Sequence, residues 1–564
     1  MPRLRRIIAL VRLDKPARFA YRALRKVKRM MGFLPPLPAH AGEEIERINR
    51  HCDAQWKECR QEDVITVVVH GDMPYLRETL ASLGEQTHKA WKLCVLGLGG
   101  RKACQSLMRT GWKRRMFTAR ALEKVGTPVL YITQPVTLLP EALHHFCSAF
   151  HQGADAVYAD TYMNRKSGVM NAGPILRPDY VPDYLRGTNY MGGVMAFSGK
   201  AAAQMRLLRL KTGFGRAYDA ALQGGGPWHI RLILHQDLGF TPDGRTRREG
   251  RRALKASIAH MGWDGAVLAG RWPDTFRVQQ RLKGQPLISI VIPNKDHIAD
   301  LSRCAQALKR STYPRFEVIV VENNSVDPAT FAYYEEIAED PRFHLCYFKG
   351  DGVFSYSKLN NFGVRQAAGD YIVLMNNDVE AISADWMETM LGIAQREDVG
   401  AVGAKLLYPD NTVQHGGIVL LDTGLAAHAH RYVASGNPGY GGRLCTDQNY
   451  NGVTGACLMM RRSVFEEVDG FTEALLEDYT DVDLCLKIRA CGYRVVWAAD
   501  AVLYHYESMT RGGWDTRESQ ARYLAEVGYY QQHWHEYYER GDAYYSTAFK
   551  LGDRTFEVDW ERLV

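Results

Sequence analysis

Apolar positions recur along this chain in two matching series. Ile65-Thr66-Val67-Val68-Val69 is a short, nearly unbroken apolar run. Spaced apolar positions at Leu76 and Leu83 follow, and then Trp91-Lys92-Leu93-Cys94-Val95. Far downstream, Ile288-Ser289-Ile290-Val291-Ile292 leads through Leu301 and Leu308 to Phe316-Glu317-Val318-Ile319-Val320. Each series predicts strand, helix, strand, the unit of a parallel α/β sheet. The match continues: Gly126 to Ile132 corresponds to Gly369 to Met375, and Asn189-Tyr190 to Asn449-Tyr450. The pattern predicts two copies of one domain, an α/β fold with two tandem Rossmann-like, mostly parallel sheets. Boundaries drawn from it are 1–60 for a leading segment and linker, 61–285 and 286–515 for the two domains, and 516–564 for a tail. The tail carries Tyr529, Tyr530, Trp534, Tyr537, Tyr538, Tyr544, Tyr545 and Trp560. Aromatics on a helix are usually packing surface, so a helical tail lying across both copies is expected.

The leading segment has a different pattern. After Asp14-Lys15-Pro16, apolar residues recur at Ala20, Ala23, Leu24, Val27, Met30 and Met31, with Arg18, Arg22, Arg25, Lys26 and Arg29 between them. That spacing predicts an amphipathic helix with a cationic face. Residues 1–33 therefore suit an anionic membrane surface, where each basic residue adds about 1 kcal/mol. Leu34-Pro35-Pro36-Leu37-Pro38 then breaks the helix as a stiff linker.

Composition adds limits. The 564 residues suffice for roughly three to four domains at about 150 residues each. The net charge is +8, and Arg3 to Arg29 alone hold eleven Lys or Arg against one acid, Asp14. The rest is near neutral, so nucleic acid is not an expected partner. Eleven cysteines form no Cys-x-x-Cys pair, which reads as free thiols in a reducing compartment. No apolar run approaches the ~18 residues of a membrane span, and no secretory signal is legible. The expected location is cytoplasmic, peripheral on the inner face of the cytoplasmic membrane.

Polar residues cluster where the strands of the second copy end. The first ends at Pro293-Asn294-Lys295-Asp296, the second at Glu322-Asn323-Asn324-Ser325 and the third at Asn376-Asn377-Asp378. Each alone reads equally as a turn. Three adjacent strand ends together suit a nucleotide, with base and ribose at the first two and diphosphate and metal at the third. A hard cation such as Mg²⁺ or Mn²⁺ takes oxygen ligands, few of them from protein, and Asp378 and Asn376 offer them. Lys358, Asn360 and Asn361 add polar groups, and Gly455 opens another polar turn. Asp481 and Asp483 start a predicted helix, where a carboxylate is also favoured by the helix dipole. His505 is a second metal-ligand candidate and Arg511 a phosphate-binding one. At the positions of Asn376, Asn377 and Asp378, the first copy has Thr133, Gln134 and Pro135.

With these residues in place, the chain resembles inverting glycosyltransferases of family 2 with a GT-A fold. The resemblance rests on Ile-Val-Ile-Pro-Asn-Lys-Asp, Val-Glu-Asn-Asn-Ser, Leu-Met-Asn-Asn-Asp-Val-Glu, Gln-His-Gly-Gly, Asn-Tyr-Asn-Gly-Val-Thr-Gly-Ala-Cys, Asp-Val-Asp-Leu-Cys-Leu-Lys and His-Tyr-Glu-Ser, between about residues 286 and 515. Residues 61–285 resemble the degenerate first module of tandem members that build bacterial surface polysaccharides. The resemblance implies a nucleotide-sugar donor, a divalent metal (Mn²⁺ or Mg²⁺) and a glycan or lipid-linked glycan acceptor. It implies hexosyl or deoxyhexosyl transfer with inversion. It implies that Pro293, Asn294, Asp296, Glu322, Asn324, Lys358, Asn376, Asn377, Asp378, Gly455 and Arg511 bind the donor, with base and ribose at Asp296 and Glu322. Asp378 and His505 would hold the metal, and Asp481 would be the general base. In the first module Ala217 would stand in the base position and His235 in that of His505. The alternatives are a sugar nucleotidyltransferase, disfavoured by the lack of a glycine-rich phosphate loop, and a non-catalytic carbohydrate-binding scaffold.

Overall fold

The computed structural model describes residues 41–52, 63–70, 73, 76–96, 116–117, 126–164, 172–204, 213–223, 225–238, 244–350, 352–507, 516–550 and 556–563. The predicted membrane-surface helix within 1–33 and Arg511 lie outside these residues. Residues 45–564 cluster as one compact body apart from 1–44, and it holds two α/β units.

The first sheet uses β1 (Ile65–His70), β2 (Trp91–Leu96), β3 (Met116–Phe117), β4 (Val129–Ile132), β5 (Val136–Leu138), β6 (Ala156–Met163), β7 (Gly173–Ile175), β8 (Val194–Phe197) and β9 (Trp228–Asp237). A hairpin of β10 (Gly265–Ala269) and β11 (Phe276–Gln280) follows. The second sheet uses β12 (Ile288–Asn294), β13 (Phe316–Glu322), β14 (Phe343–Tyr347), β15 (Tyr371–Met375), β16 (Val379–Ala381), β17 (Val399–Leu407) and β18 (Val413–His415). After a small hairpin, β19 (Ile418–Leu420) and β20 (Ala426–His428), it is completed by β21 (Gln448–Tyr450), β22 (Cys457–Arg461) and β23 (Arg494–His505).

The strand orders are β3-β2-β1-β4-β8-β6-β9-β5 and β14-β13-β12-β15-β22-β17-β23-β16. These match place for place. So does the sense of each pairing: parallel among the first four strands of each order, antiparallel on both sides of β8 and of β22, parallel again at β6–β9 and β17–β23. The sheets are thus mixed, two α/β units of GT-A type. β1 is buried along its whole length and β12 everywhere but Pro293. A parallel strand covered on both faces has no polar side to show, which is why these segments read as unbroken apolar runs. Separate apolar cores lie about the two sheets.

The two units are joined by buried charge. Helix α1 (Pro182–Gly187) presents Asp183 to the second unit. Its Oδ1 accepts from Arg396 at 2.5 Å and from Arg186 at 3.0 Å, and its Oδ2 accepts from Asn449 Nδ2 at 2.7 Å. The guanidinium groups of Arg186 and Arg396 also both lie over the Trp263 ring, at 4.4 and 4.6 Å from its centre. Burial by itself would raise the Asp183 carboxyl, but Arg396 and Arg186 overcome it and hold it well below the usual carboxylate range. Both side chains of the Asp183–Arg396 pair are only 5% exposed. Removing one partner of such a pair strands a buried charge and costs about 3–5 kcal/mol. Asp183→Ala is therefore expected to lower unfolding stability by about that much at neutral pH. Because the folded pKa is depressed, the stabilisation is complete above the unfolded value near 4 and drains away as pH falls below it. Urea unfolding of both proteins across pH checks this, and equal stability at pH 7 would remove the pair from the interface energetics.

The tail forms a helix, α6 (Arg517–Glu539), and then crosses both units. Asp179 N–H donates to Ala543 C=O at 2.8 Å on the first side. On the second, Asp542 Oδ2 accepts from Leu420 N–H at 2.5 Å and Asn451 Nδ2 at 2.7 Å.

Candidate active site

The C-terminal ends of β12, β13 and β15 lie side by side, as the parallel pairings require, and a hydrogen-bonded chain links their polar residues. Asn377 Nδ2 donates to Asn294 Oδ1 at 2.7 Å, and Asn294 Nδ2 donates to Tyr334 Oη at 2.8 Å. Tyr334 Oη then donates to Glu322 Oε2 at 2.5 Å. Glu322 also takes the N–H and hydroxyl of Ser325, at 2.5 and 2.6 Å. Asp296 sits in the left-handed region (φ 54°), and its Oδ1 accepts from the Val326 and Asp327 amides at 3.0 and 2.9 Å. Those amides, the Asp327 one first, lower its pKa, and they precede helix α3 (Pro328–Ile337). Asn324 is left-handed too (φ 58°). So the Asp296 and Glu322 carboxylates shape the turn at this edge, and Asn294, next to Pro293, ties it to Asn377.

Helix α4 (Tyr356–Gln366) begins at the Ser355 cap, whose hydroxyl takes the Lys358 N–H at 3.2 Å. The Asn361 amide is spent on Phe471 and Glu473. Asn360 is fully buried, with Nδ2 on Tyr356 C=O at 2.8 Å.

At the third strand end, β16 pairs with β23 so that Val379 lies opposite His505. This register brings Asp378 Oδ1 to 3.2 Å from His505 Nε2. Tyr506 N–H donates to Asp378 C=O at 3.1 Å, and Asn376 Nδ2 lies 3.3 Å from the same His505 Nε2. Among the described residues no three or more His, Cys, Asp or Glu cluster as a metal cage. The donor set is therefore one carboxylate, one imidazole and one neutral amide, which suits a cation that keeps water and substrate oxygens.

A second contact tests that fit. His505 Nδ1 meets the Gln414 side-chain amide at 2.7 Å, while Gln414 Oε1 is buried without a hydrogen-bond partner. A half-turn of that amide lets Oε1 accept Nδ1–H. As placed, Gln414 Nε2–H donates to Nδ1 and the ring proton lies on Nε2; the half-turn would move it to Nδ1 and leave Nε2 bare toward Asp378, the tautomer a metal-binding histidine needs.

Asp481 stands in the first turn of helix α5 (Thr480–Ala490). Its Oδ2 accepts the Gly455 N–H at 2.9 Å and its Oδ1 the Val482 N–H at 2.8 Å. The Gly455 carbonyl accepts from Tyr356 Oη at 2.9 Å. One residue on, Ala456 C=O accepts the Asn376 N–H at 3.1 Å, and Cys457 pairs with Met375. The 454–457 turn thus joins the Asp481 carboxylate to the Asn376–Asp378 edge. Asp483 is engaged elsewhere, taking the Thr472 hydroxyl at 2.7 Å. The preceding amide, of Thr454, donates to His415 Nε2 at 3.3 Å, and His415 Nδ1 lies 2.9 Å from His428 Nδ1.

The sequence profile of glycosyl transferase family 2 matches residues 289–469. The chain contains a glycosyl transferase family 2 domain. Uncharacterised protein y4gI of Sinorhizobium fredii is 32% identical over 513 residues, which is 84% of this chain and 56% of that protein. The O-antigen biosynthesis protein RfbC of Myxococcus xanthus is 31% identical over 540 residues, 89% of this chain and 41% of RfbC. The chain therefore spans about half the length of these curated relatives. The mannosyltransferase PcManGT from Pyrobaculum calidifontis, solved with GDP-Man and Mn²⁺, aligns over 49% of this chain and 73% of its own. Its identity is 18% and its TM-score 0.33. Strand order, not that superposition, defines the fold here.

The family 2 domain can be compared with its partner unit strand by strand. β5 pairs with β9 so that Val136 lies opposite Asp237, as Val379 lies opposite His505. The counterpart of His505 is thus Asp237, two residues beyond the expected His235. Pro135 precedes Val136 where Asp378 precedes Val379, and Gln134 Nε2 donates to Asp237 Oδ2 at 2.7 Å. His235 is wholly buried, and burial drives its pKa well below the usual value. Ala217 lies on helix α2 (Gly213–Gln223), and its side chain is outside the described residues.

Three residues at this edge carried no role in the sequence reading. Gln414 and His415 sit in the Gln-His-Gly-Gly motif, and that motif was their only signal. Tyr334 is one aromatic among several on an ordinary helix, with no sequence mark of its contact.

Proposed function

We propose that the family 2 domain transfers a sugar from a nucleoside-diphosphate sugar to an acceptor hydroxyl, with inversion at the anomeric carbon. One observation carries this reading: the 454–457 turn hydrogen-bonds both to the Asp481 carboxylate and to the strand end bearing Asp378. A base and an anion-compensating site are thereby tied to one sheet edge. Asp481, half-buried and oriented by the Gly455 amide, takes the acceptor proton as its oxygen attacks the anomeric carbon opposite the diphosphate. Asp378, His505 and Asn376 would hold a divalent metal, which supplies positive charge for the departing diphosphate. His505, oriented by Gln414, and Asp378, pinned by Tyr506 N–H, keep that edge in place. Asn294, Glu322 and Tyr334 maintain the turn against which base and ribose would lie.

The kinship to an O-antigen biosynthesis protein supports a bacterial surface glycan as the acceptor, and the cationic pattern of residues 1–33 supports a lipid-linked one. A thermal-shift panel of UDP, dTDP, GDP and CDP with and without Mn²⁺ tests the donor side. One nucleotide is expected to stabilise the protein only with metal, by about 2.7 kcal/mol at 100 times its dissociation constant. Absence of any shift with all four would count against the reading.

The first unit we read as non-catalytic support, since Pro135 stands where the second has Asp378 and a Gln134–Asp237 contact replaces the aspartate–histidine pair. The cationic pattern of residues 1–33 supports attachment to an anionic membrane face on the cytoplasmic side. Deleting 1–33 is expected to release the protein from vesicles containing phosphatidylglycerol while sparing nucleotide binding. Undiminished sedimentation with those vesicles would sink the attachment.

A further inference from the structure

The loop before the Asp481 helix is held in a conformation it would not adopt alone. Tyr479, the residue capping α5, is left-handed (φ 59°, ψ 4°). For a bulky aromatic this costs of order 1–3 kcal/mol and persists only where the surroundings over-determine it. Those surroundings come from the tail helix α6. Tyr530 stacks on Tyr479, with ring centroids 4.5 Å apart. Glu526, only 3% exposed, accepts the N–H groups of Glu477 and Asp478 through Oε2, at 3.1 and 2.7 Å. Arg522 pairs with the Glu477 carboxylate at 2.7 Å. The helix is then broken at Trp534 (φ −115°, ψ 17°), and the indole Nε1 there donates to Asp483 Oδ1 at 2.9 Å. The tail therefore grips the 477–483 segment on both sides of Asp481, through backbone amides before it and a side-chain carboxylate after it.

A charged acceptor for two backbone amides is a costly thing to bury, and nothing in the mechanism above uses Glu526. We propose that α6 is a clamp that sets the position of Asp481, with Glu526 and Trp534 as positioning residues. Glu526 orders the amides that lead into α5, and Trp534 fixes Asp483 one half-turn beyond the base. The tail aromatics thus serve the geometry of proton removal in addition to joining the two units. The inference rests on Asp481 being the base.

The test uses the full chain and reads nucleoside diphosphate release from UDP-, dTDP-, GDP- and CDP-sugars, beside Mn²⁺-dependent nucleotide binding. A misplacement of about 1 Å costs a reaction on the order of 10²-fold. Glu526→Ala is expected to lower kcat about 10- to 100-fold, with KM for the nucleotide sugar and the nucleotide thermal shift little changed. Amide hydrogen exchange at Glu477 and Asp478 should quicken in the same variant. Glu526→Gln keeps one carbonyl oxygen to accept those amides and should recover most of the rate, which a merely space-filling role would not predict. Trp534→Phe removes the N–H donor to Asp483 together with part of the ring that packs beside Tyr530, and it should show the same split of kcat from KM, even if Glu526→Ala folds poorly. Unchanged kcat in Glu526→Ala and Trp534→Phe, or equal losses of kcat and nucleotide affinity, overturns the clamp. Asp481→Asn assayed alongside separates the two ideas: if it turns over normally, the base assignment falls and the clamp with it. If it is inactive while the tail variants are normal, the clamp alone falls.

Discussion

Asp481→Asn should bind the nucleotide donor as the wild type does and turn over about 10²–10⁴ times more slowly, the usual share of a general base. In barrier terms this is about 2.7–5.4 kcal/mol at 1.36 kcal/mol per tenfold. The substitution is nearly isosteric. The amide oxygen can still accept the Gly455 N–H that the Asp481 carboxylate takes at 2.9 Å, at the cost of the contact to the Val482 N–H of its own helix, so the turn and the donor edge beyond it should stay in place. What disappears is the lone pair basic enough to take a hydroxyl proton. The loss belongs to kcat, because an interaction made only as the proton moves leaves ground-state binding alone. Steady-state release of nucleoside diphosphate, with the four-nucleotide thermal-shift panel as binding control, reads both quantities. Near-normal turnover would take Asp481 out of the role, and a parallel loss of nucleotide binding would make it a structural residue.

Asp378→Ala should fail earlier in the reaction. Asp378 is buried and lies 3.2 Å from His505 Nε2. Its removal leaves one imidazole and one amide, a poor set for a hard cation that wants anionic oxygen. Stabilisation of the protein by a nucleoside diphosphate with Mn²⁺ should vanish, and turnover should fall at least about 10²-fold, since several kcal/mol of charge compensation at the diphosphate are lost. Asp378→Asn separates charge from shape, since it fills the same space and should lose the metal-dependent shift nearly as completely. Identical nucleotide affinity with and without Mn²⁺, in the wild type and in both variants, would show that this edge compensates the diphosphate without a cation.

The core strands, their grouping into two matching units and the polar strand ends were legible in the amino-acid sequence. Ile288 to Ile292 and Ile65 to Val69 show their burial because a strand enclosed on both faces must be apolar throughout. A repeat in such runs is visible as a repeat. The roles of Asp296 and Glu322 were not legible in the same way. A carboxylate that ends a strand serves a ligand or its own turn equally well in sequence, and here Ser325 binds both Glu322 oxygens while the Val326 and Asp327 amides bind Oδ1 of Asp296. His235 was the expected counterpart of His505, but pairing register decides which residue faces a given partner. The β5–β9 register puts Asp237 there. The Gln414–His505 contact spans 91 residues and the Asp183–Arg396 pair spans 213. Neither partner of either pair announces the other.

The amino-acid sequence by itself determined which apolar segments become the core parallel strands, that the unit occurs twice, and that only the second copy carries Asp378 and Asp481. Those properties follow from local patterning, since side-chain period and turn chemistry act over a few residues. Tertiary structure alone decided which polar groups meet: Asp378 with His505, Asp481 with Gly455, Glu526 with the amides leading to Asp481. These contacts depend on the register of distant strands and on where Glu526, 45 residues past Asp481, comes to rest. Hydrogen bonds act over about 3 Å, so a shift of one residue in any of those pairings would have built a different site from the same sequence.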